Sequence, residues 1–145
     1  MAQGGGSDTT AAERPIRPGL FVPTAEGRPA RLLGSRCRET GAYFWPPERM
    51  NPDTRKPGTL EPAELAGRGR VVSYAIVQRG LPGFASPYAI ASVALDEGPS
   101  LIAQLDDWQD KPLVLGQTVE LVIGTIMTEK SGTHVLGPKF RPVER

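Results

Sequence analysis

The chain has 145 residues, 39% of them hydrophobic, with 17 basic against 16 acidic side chains and a single cysteine. This is the size of one domain, able to bury a core without covalent staples, and one cysteine excludes an internal disulfide and a disulfide-stapled secreted scaffold. No apolar run approaches the roughly 20 residues of a membrane helix, residues 1–15 lack the apolar core of a secretory signal, and a net charge of +1 sets up no global field for nucleic acid; a soluble, cytoplasmic protein is expected.

Four zones follow one another. Residues 1–14 are rich in Gly, Ser, Thr and Ala and read as a flexible tail. Residues 15–36 are punctuated by proline; within them "AEGRPARLLGSR" has the composition for a turn or two of helix, with Pro29 limiting its start. Residues 37–66 form a knuckle like that of a rubredoxin or zinc ribbon, followed by a linker. Residues 67–145 are β-rich. Charge divides along the same line: residues 1–70 hold 11 basic and 8 acidic side chains, the remainder 6 and 8. Ten of those 11 are arginine, whose planar fork suits phosphates and carboxylates. The N-terminal part is therefore either a solvated arginine-rich surface or the neighbour of an anionic ligand or partner.

The β-rich zone divides into strands by its apolar runs and turns. "RVVSYAIVQRG" (70–80) is β-branched and aromatic and stops at a glycine. "LPGFASP" (81–87) is a loop. "YAIASVALDEG" (88–98) is a second strand closed by the turn "DEGP", and "SLIAQLDDW" (100–108) a third. After the connector "QDKPLVLGQ", "TVELVIGTIMTE" (118–129) alternates until Gly124, where a bulge or sharp bend is expected. "HVLGPKFRP" (134–142) is the last strand. Five strands with one long connector after the third fit a small five-stranded barrel of the oligonucleotide/oligosaccharide-binding (OB) type, whose working loops follow its first and fourth strands. The expected fold class is mainly β: an OB-fold barrel preceded by a short helical segment and the knuckle.

The knuckle starts like half of a metal site. Cys37 precedes a turn at Gly41, an aromatic pair and the Pro46–Pro47 corner follow, but the position three residues on from Cys37 is Thr40. Taken together, "RLLGSRCRETGAYFWPPERMNPDT", the pre-barrel "GRG", the "SY" of the first strand, the "PGF…PY" loop and the "LDEGP" turn resemble the domain-of-unknown-function 35 family over about residues 31–143. The resemblance implies a zinc ribbon joined to an OB-type barrel, and an accessory subunit of thiolase-like acyl-CoA enzymes. In that pattern two cysteine pairs align with Cys37, Thr40, Asn51 and Thr54. One thiolate cannot make the four-ligand shell of structural zinc, so no zinc is expected, and packing of Tyr43, Phe44 and Trp45, with turn hydrogen bonds from Thr40 or Asn51, is expected to hold a metal-free knuckle. Cys37 reads as an inert leftover thiol or, flanked by Arg36 and Arg38, as a reactive one.

Catalytic constellations fail on inspection. His134 is the only histidine, at the start of a strand with no nucleophile motif near it. Asp106, Asp107 and Asp110 lack the spacing of a calcium loop, and "GRGR" (67–70) lacks the lysine of a phosphate loop. Tyr74, Phe84 and Tyr88 are too few aromatics, on a net-acidic barrel, for single-strand nucleic-acid binding. The resulting expectation is a chain that is no enzyme on its own. It would bind and stabilise a thiolase-like enzyme (a sterol-carrier-type thiolase or aldolase) in a hetero-oligomer, away from nucleic acid and membrane. Phe84 and Tyr88 of the stiff apolar loop, with Trp45 on the knuckle, are its candidate partner contacts, and Trp108 is a further anchor candidate. Arg36, Arg38, Arg68 and Arg70 are candidates for the phosphates of a CoA thioester shared with the partner. The alternatives are a free-standing OB-fold module for nucleic acid or another ligand, and a partner of an acyl-CoA hydratase.

Overall fold

The computed structural model describes residues 12–25, 27–85, 87–110 and 112–143. They form β1 (Glu13–Pro15), β2 (Phe21–Val22), β3 (Arg31–Cys37), β4 (Tyr43–Phe44), β5 (Leu60–Leu65), β6 (Arg68–Val77), β7 (Tyr88–Leu95), β8 (Ser100–Leu105), β9 (Thr118–Thr128) and β10 (His134–Pro142). The barrel is β6 to β10. β6, β7 and β8 run as an antiparallel meander, β10 lies parallel to β8 and antiparallel to β9, and β9 returns to β6 and closes the ring. That ring order is the OB fold. β1 extends it as a short parallel strand beside the start of β10.

Two-residue alternation explains the core. Ala89, Ala91, Val93 and Leu95 of β7 face inward, as do Leu101, Ala103 and Leu105 of β8 and Val119 and Leu121 of β9. Phe140 of β10 is fully buried and is the largest side chain in that interior. β9 loses phase two residues beyond Gly124: Ile126 is the extra residue between Thr125 and Met127 in the ladder with β10.

The N-terminal layer is a second small sheet built on β3. β5 pairs along the whole of its inner length, while β2 and β4 share its opposite edge. This corrects two expectations. "AEGRPARLLGSR" supplies β3 rather than a helix, and no helix occurs among the described residues. The physical reason is tertiary. Arg31–Cys37 has strand partners on both edges, and a side chain at Gly34 would stand 2.3 Å from the Phe44 carbonyl oxygen, so helical propensity is overridden. The stretch expected as linker likewise contains β5. Of the expected tail, residues 1–11 lie outside the described residues, and Glu13 and Arg14 belong to β1. Ala30, Leu32 and Leu65 join the barrel's apolar cluster, so the two sheets share one core. At their junction Gly67 has a φ of 74°, and a Cβ there would lie 2.4 Å from that of Leu121; only glycine lets β5 pass into β6 against β9.

Candidate functional site

The loop between β6 and β7 is tied to the far end of β9: Thr128 N–H donates to the Gly83 carbonyl at 2.8 Å. Phe84 of this loop stacks on Tyr88, the first residue of β7, with ring centroids 5.7 Å apart and planes at 27°. Both are half-buried. Tyr88 and Trp108 also line a cleft of about 290 Å³ with Asp106 and Lys139, whose ion pair measures 2.5 Å. The most exposed apolar side chain of this loop is Leu81, at 72%. Trp45 is half-buried, packs on the shared core and donates its indole N–H to the Leu20 carbonyl at 3.0 Å. The three aromatic candidates thus occupy two separate places, with Phe84 and Tyr88 together and Trp45 on the N-terminal layer.

The four candidate arginines also divide. Arg36 approaches Glu61 at 3.9 Å and lies over the Tyr43 ring, 5.8 Å from its centroid. The Arg38 guanidinium donates to the Gly58 carbonyl. Arg68 and Arg70 stand two apart on β6, exposed, with no side-chain hydrogen bond or ion pair among the described residues. His134 is half-buried, and its Nδ1 lies 3.1 Å from the Thr128 hydroxyl.

A group missed by the sequence reading lies on the barrel flank. Val72 is 56%, Val114 54% and Leu115 62% exposed, and Tyr74 is exposed beside them. The connector is held there by Gly116 N–H donating to the Val71 carbonyl at 2.8 Å and by the Tyr74 hydroxyl 3.4 Å from the Leu113 carbonyl. The available signal was "PLVL" inside a connector, an apolar run where solvated residues are the rule.

The knuckle consists of two matched turns. Cys37 begins one, and Gly41 N–H donates to its carbonyl at 2.8 Å; Asn51 begins the other, and Arg55 N–H donates to its carbonyl at 2.7 Å. Gly41 and Arg55 both take positive φ, 78° and 61°. The Thr40 N–H lies 3.5 Å from the Cys37 Sγ, and the Thr54 N–H donates to the Asn51 Oδ1 at 3.3 Å. Thr40 and Thr54 each accept, through the hydroxyl, from the N–H two residues on. Cys37 and Asn51 are both fully buried. Hydrogen bonds from Thr40 pull the Cys37 thiol down to about 6, against the burial that raises it, with smaller help from the Asn51 side chain and the Glu39 backbone. These corners offer one thiolate, two hydroxyls and an amide; they do not fit zinc, which takes four thiolate or imidazole ligands in a structural site. Among the described residues no cluster of three His, Cys, Asp or Glu side chains is placed to hold a metal ion.

The class this fold defines is an OB barrel carrying a ribbon-like layer. Residues 63–124 match the family model for the C-terminal OB-fold domain of ChsH2. A DUF35 domain-containing scaffold protein of Pyrococcus furiosus is 34% identical over 78% of this chain and 84% of its own length. A benzoylsuccinyl-CoA thiolase subunit, BbsA, of Thauera aromatica is 28% identical over 88% of both chains. A solved Ltp2-ChsH2(DUF35) aldolase structure superposes with a TM-score of 0.61 at 28% identity, covering 77% of this chain and 84% of that one. The chain belongs to the DUF35 family.

Proposed function

We propose that this protein is a non-catalytic accessory subunit that binds a thiolase-like acyl-CoA enzyme, a thiolase or an aldolase, and contributes to the channel for its CoA thioester. The observation that carries the reading is the exposed apolar flank of Val72, Tyr74, Val114 and Leu115, together with Leu81 on the loop after the first barrel strand. Water-exposed aliphatic groups of this size, grouped on rigid backbone, are the material of an interface. The relatives are named as scaffolds or as subunits of thiolase and aldolase assemblies, which supports the same reading. Phe84 and Tyr88 then act by stiffening the loop that presents Leu81, and Trp45 by holding the N-terminal layer against the barrel. Arg68 and Arg70, free on one face of β6, are the residues for the phosphates of CoA; Arg36 and Arg38 are occupied within the knuckle layer.

The test is kinetic. The isolated chain is expected to turn over no acyl-CoA. Added to a thiolase-like enzyme from its own genome, it should raise activity, and the Arg68→Glu, Arg70→Glu double variant should raise KM for the CoA thioester with the complex intact. Turnover by the isolated chain would overturn the non-catalytic reading; an unchanged KM would remove the arginines from the channel.

A further inference from the structure

We propose that Asn51 stands where a ribbon's metal ion would: its side-chain amide donates to the Cys37 sulfur and ties the two knuckle turns together. Three independent observations converge on this. The first is the internal likeness of the turns, matched in the carbonyl bond that closes each, in the positive φ at Gly41 and Arg55, and in the threonine hydroxyl that follows. The two turns are neighbours: Glu39 of the first pairs with Lys56, next after the second, at 3.7 Å, and the Arg38 N–H donates to the Thr59 carbonyl at 2.8 Å.

The second is an unpartnered polar group in that centre. Asn51 is 1% exposed. Its Oδ1 is used twice, by the N–H groups of Asp53 at 2.8 Å and Thr54 at 3.3 Å. That network fixes which end of the amide points inward. The other end of the amide, Nδ2, is buried and has no hydrogen-bond partner among the described residues. A buried donor left alone is costly.

The third is the acceptor proposed for it. Cys37 is equally buried and is the free thiol of this chain. The Thr40 N–H points at its sulfur from within the first turn, and the Asn51 side chain is among the donors that favour its ionised form. A thiolate meeting N–H groups makes charge-assisted bonds, stronger than those between neutral groups. The charged neighbours on the surrounding elements are Arg36 and Arg38 along the strand, Glu39 paired with Lys56 at 3.7 Å, and Asp53 and Arg55 on the second turn; the lowering of the thiol comes from hydrogen bonds, the Glu39 backbone among the donors, rather than from any of these charges. A donor pointing into the centre also repels a cation, so this arrangement and a bound metal exclude each other.

The experiment is nuclear magnetic resonance on the full chain with nitrogen-labelled asparagine. The Asn51 side-chain amide protons are expected to exchange with solvent at least about 100-fold more slowly than those of an exposed asparagine, as a buried bonded donor does. One of the pair should shift on Cys37→Ala and stay in place on Thr54→Ala. Solvent-rate exchange in the wild type would overturn the proposal even where the cysteine variant fails to fold, and so would a resonance indifferent to Cys37→Ala in a folded variant. A second readout is the ultraviolet thiolate band: it should be present at neutral pH and should weaken in Asn51→Asp, which keeps both turn acceptors and removes the donor. An undiminished band in that variant would equally remove Asn51 from the role.

Discussion

The barrel and the knuckle layer are both built of β-structure, yet they bury opposite kinds of side chain. The barrel interior is Val93, Leu105, Val119 and Phe140, filled by strand alternation and independent of any single polar contact. The knuckle centre is Cys37, Asn51 and Thr59, buried to a similar degree and held by directed hydrogen bonds. An apolar core tolerates loss in proportion to the volume removed. A polar centre fails through the group left without a partner. The difference teaches where each region should be fragile and where the chain can present surface to another protein.

The largest effect should come from the barrel. Phe140→Ala removes the largest fully buried side chain and should cost about 3–5 kcal/mol in urea denaturation; a loss below about 1 kcal/mol would mean that the barrel interior is not the seat of stability. Next come the exposed apolar groups. Leu115→Asp and Leu81→Asp should leave the denaturation midpoint in place but weaken partner binding by roughly 1–4 kcal/mol each, measured by calorimetric titration. Unfolding of these variants would place the two side chains in the core instead.

The knuckle should respond more modestly and through its polar groups. Asn51→Leu strands the Asp53 and Thr54 N–H groups and should cost about 1–3 kcal/mol, with no change on adding a chelator to either protein. The same centre sets a pH dependence. The Cys37 thiol is lowered from its ordinary 9.0 to about 6 in the folded state. Its contribution is therefore complete above the ordinary value and is lost as pH falls through about 6. The urea midpoint of the wild type should rise between those limits more than that of Cys37→Ser; parallel curves would contradict an ionised thiol. The smallest effect belongs to the surface. Arg141 pairs with Glu120 at 3.3 Å with both side chains well exposed, so Arg141→Ala should shift stability by about 0.5 kcal/mol or less.

The same contrast governs what the sequence could reveal. Barrel strands announce themselves because a two-residue apolar rhythm and glycine-containing turns are local signals, and "YAIASVAL" and "TVELVI" carry them without help from the rest of the chain. β3 does not: "RLLGSRC" opens on the helix formers Arg31, Leu32 and Leu33 and becomes a strand because β5 and β4 flank it. In the knuckle, the turn hydrogen bonds of Thr40 and Asn51 are legible from residue type, whereas Arg55 at positive φ has no composition signature. Among the candidate contacts, aromatic type drew attention to Phe84, Tyr88 and Trp45. Exposure instead points to aliphatic side chains, Ile102 and Leu81 first and then Leu115, Val72 and Val114, a property of the closed barrel that residue type alone does not encode.

Complex formation is the most direct test of the central reading. The protein should be mixed with a thiolase-like acyl-CoA enzyme from its own genome, and the mass of the eluting species measured by light scattering. A single species heavier than the enzyme alone, reduced to separate components by Leu115→Asp, is the result expected of an accessory subunit. Independent elution of the wild-type chain from every such enzyme, with the chain folded, would contradict it.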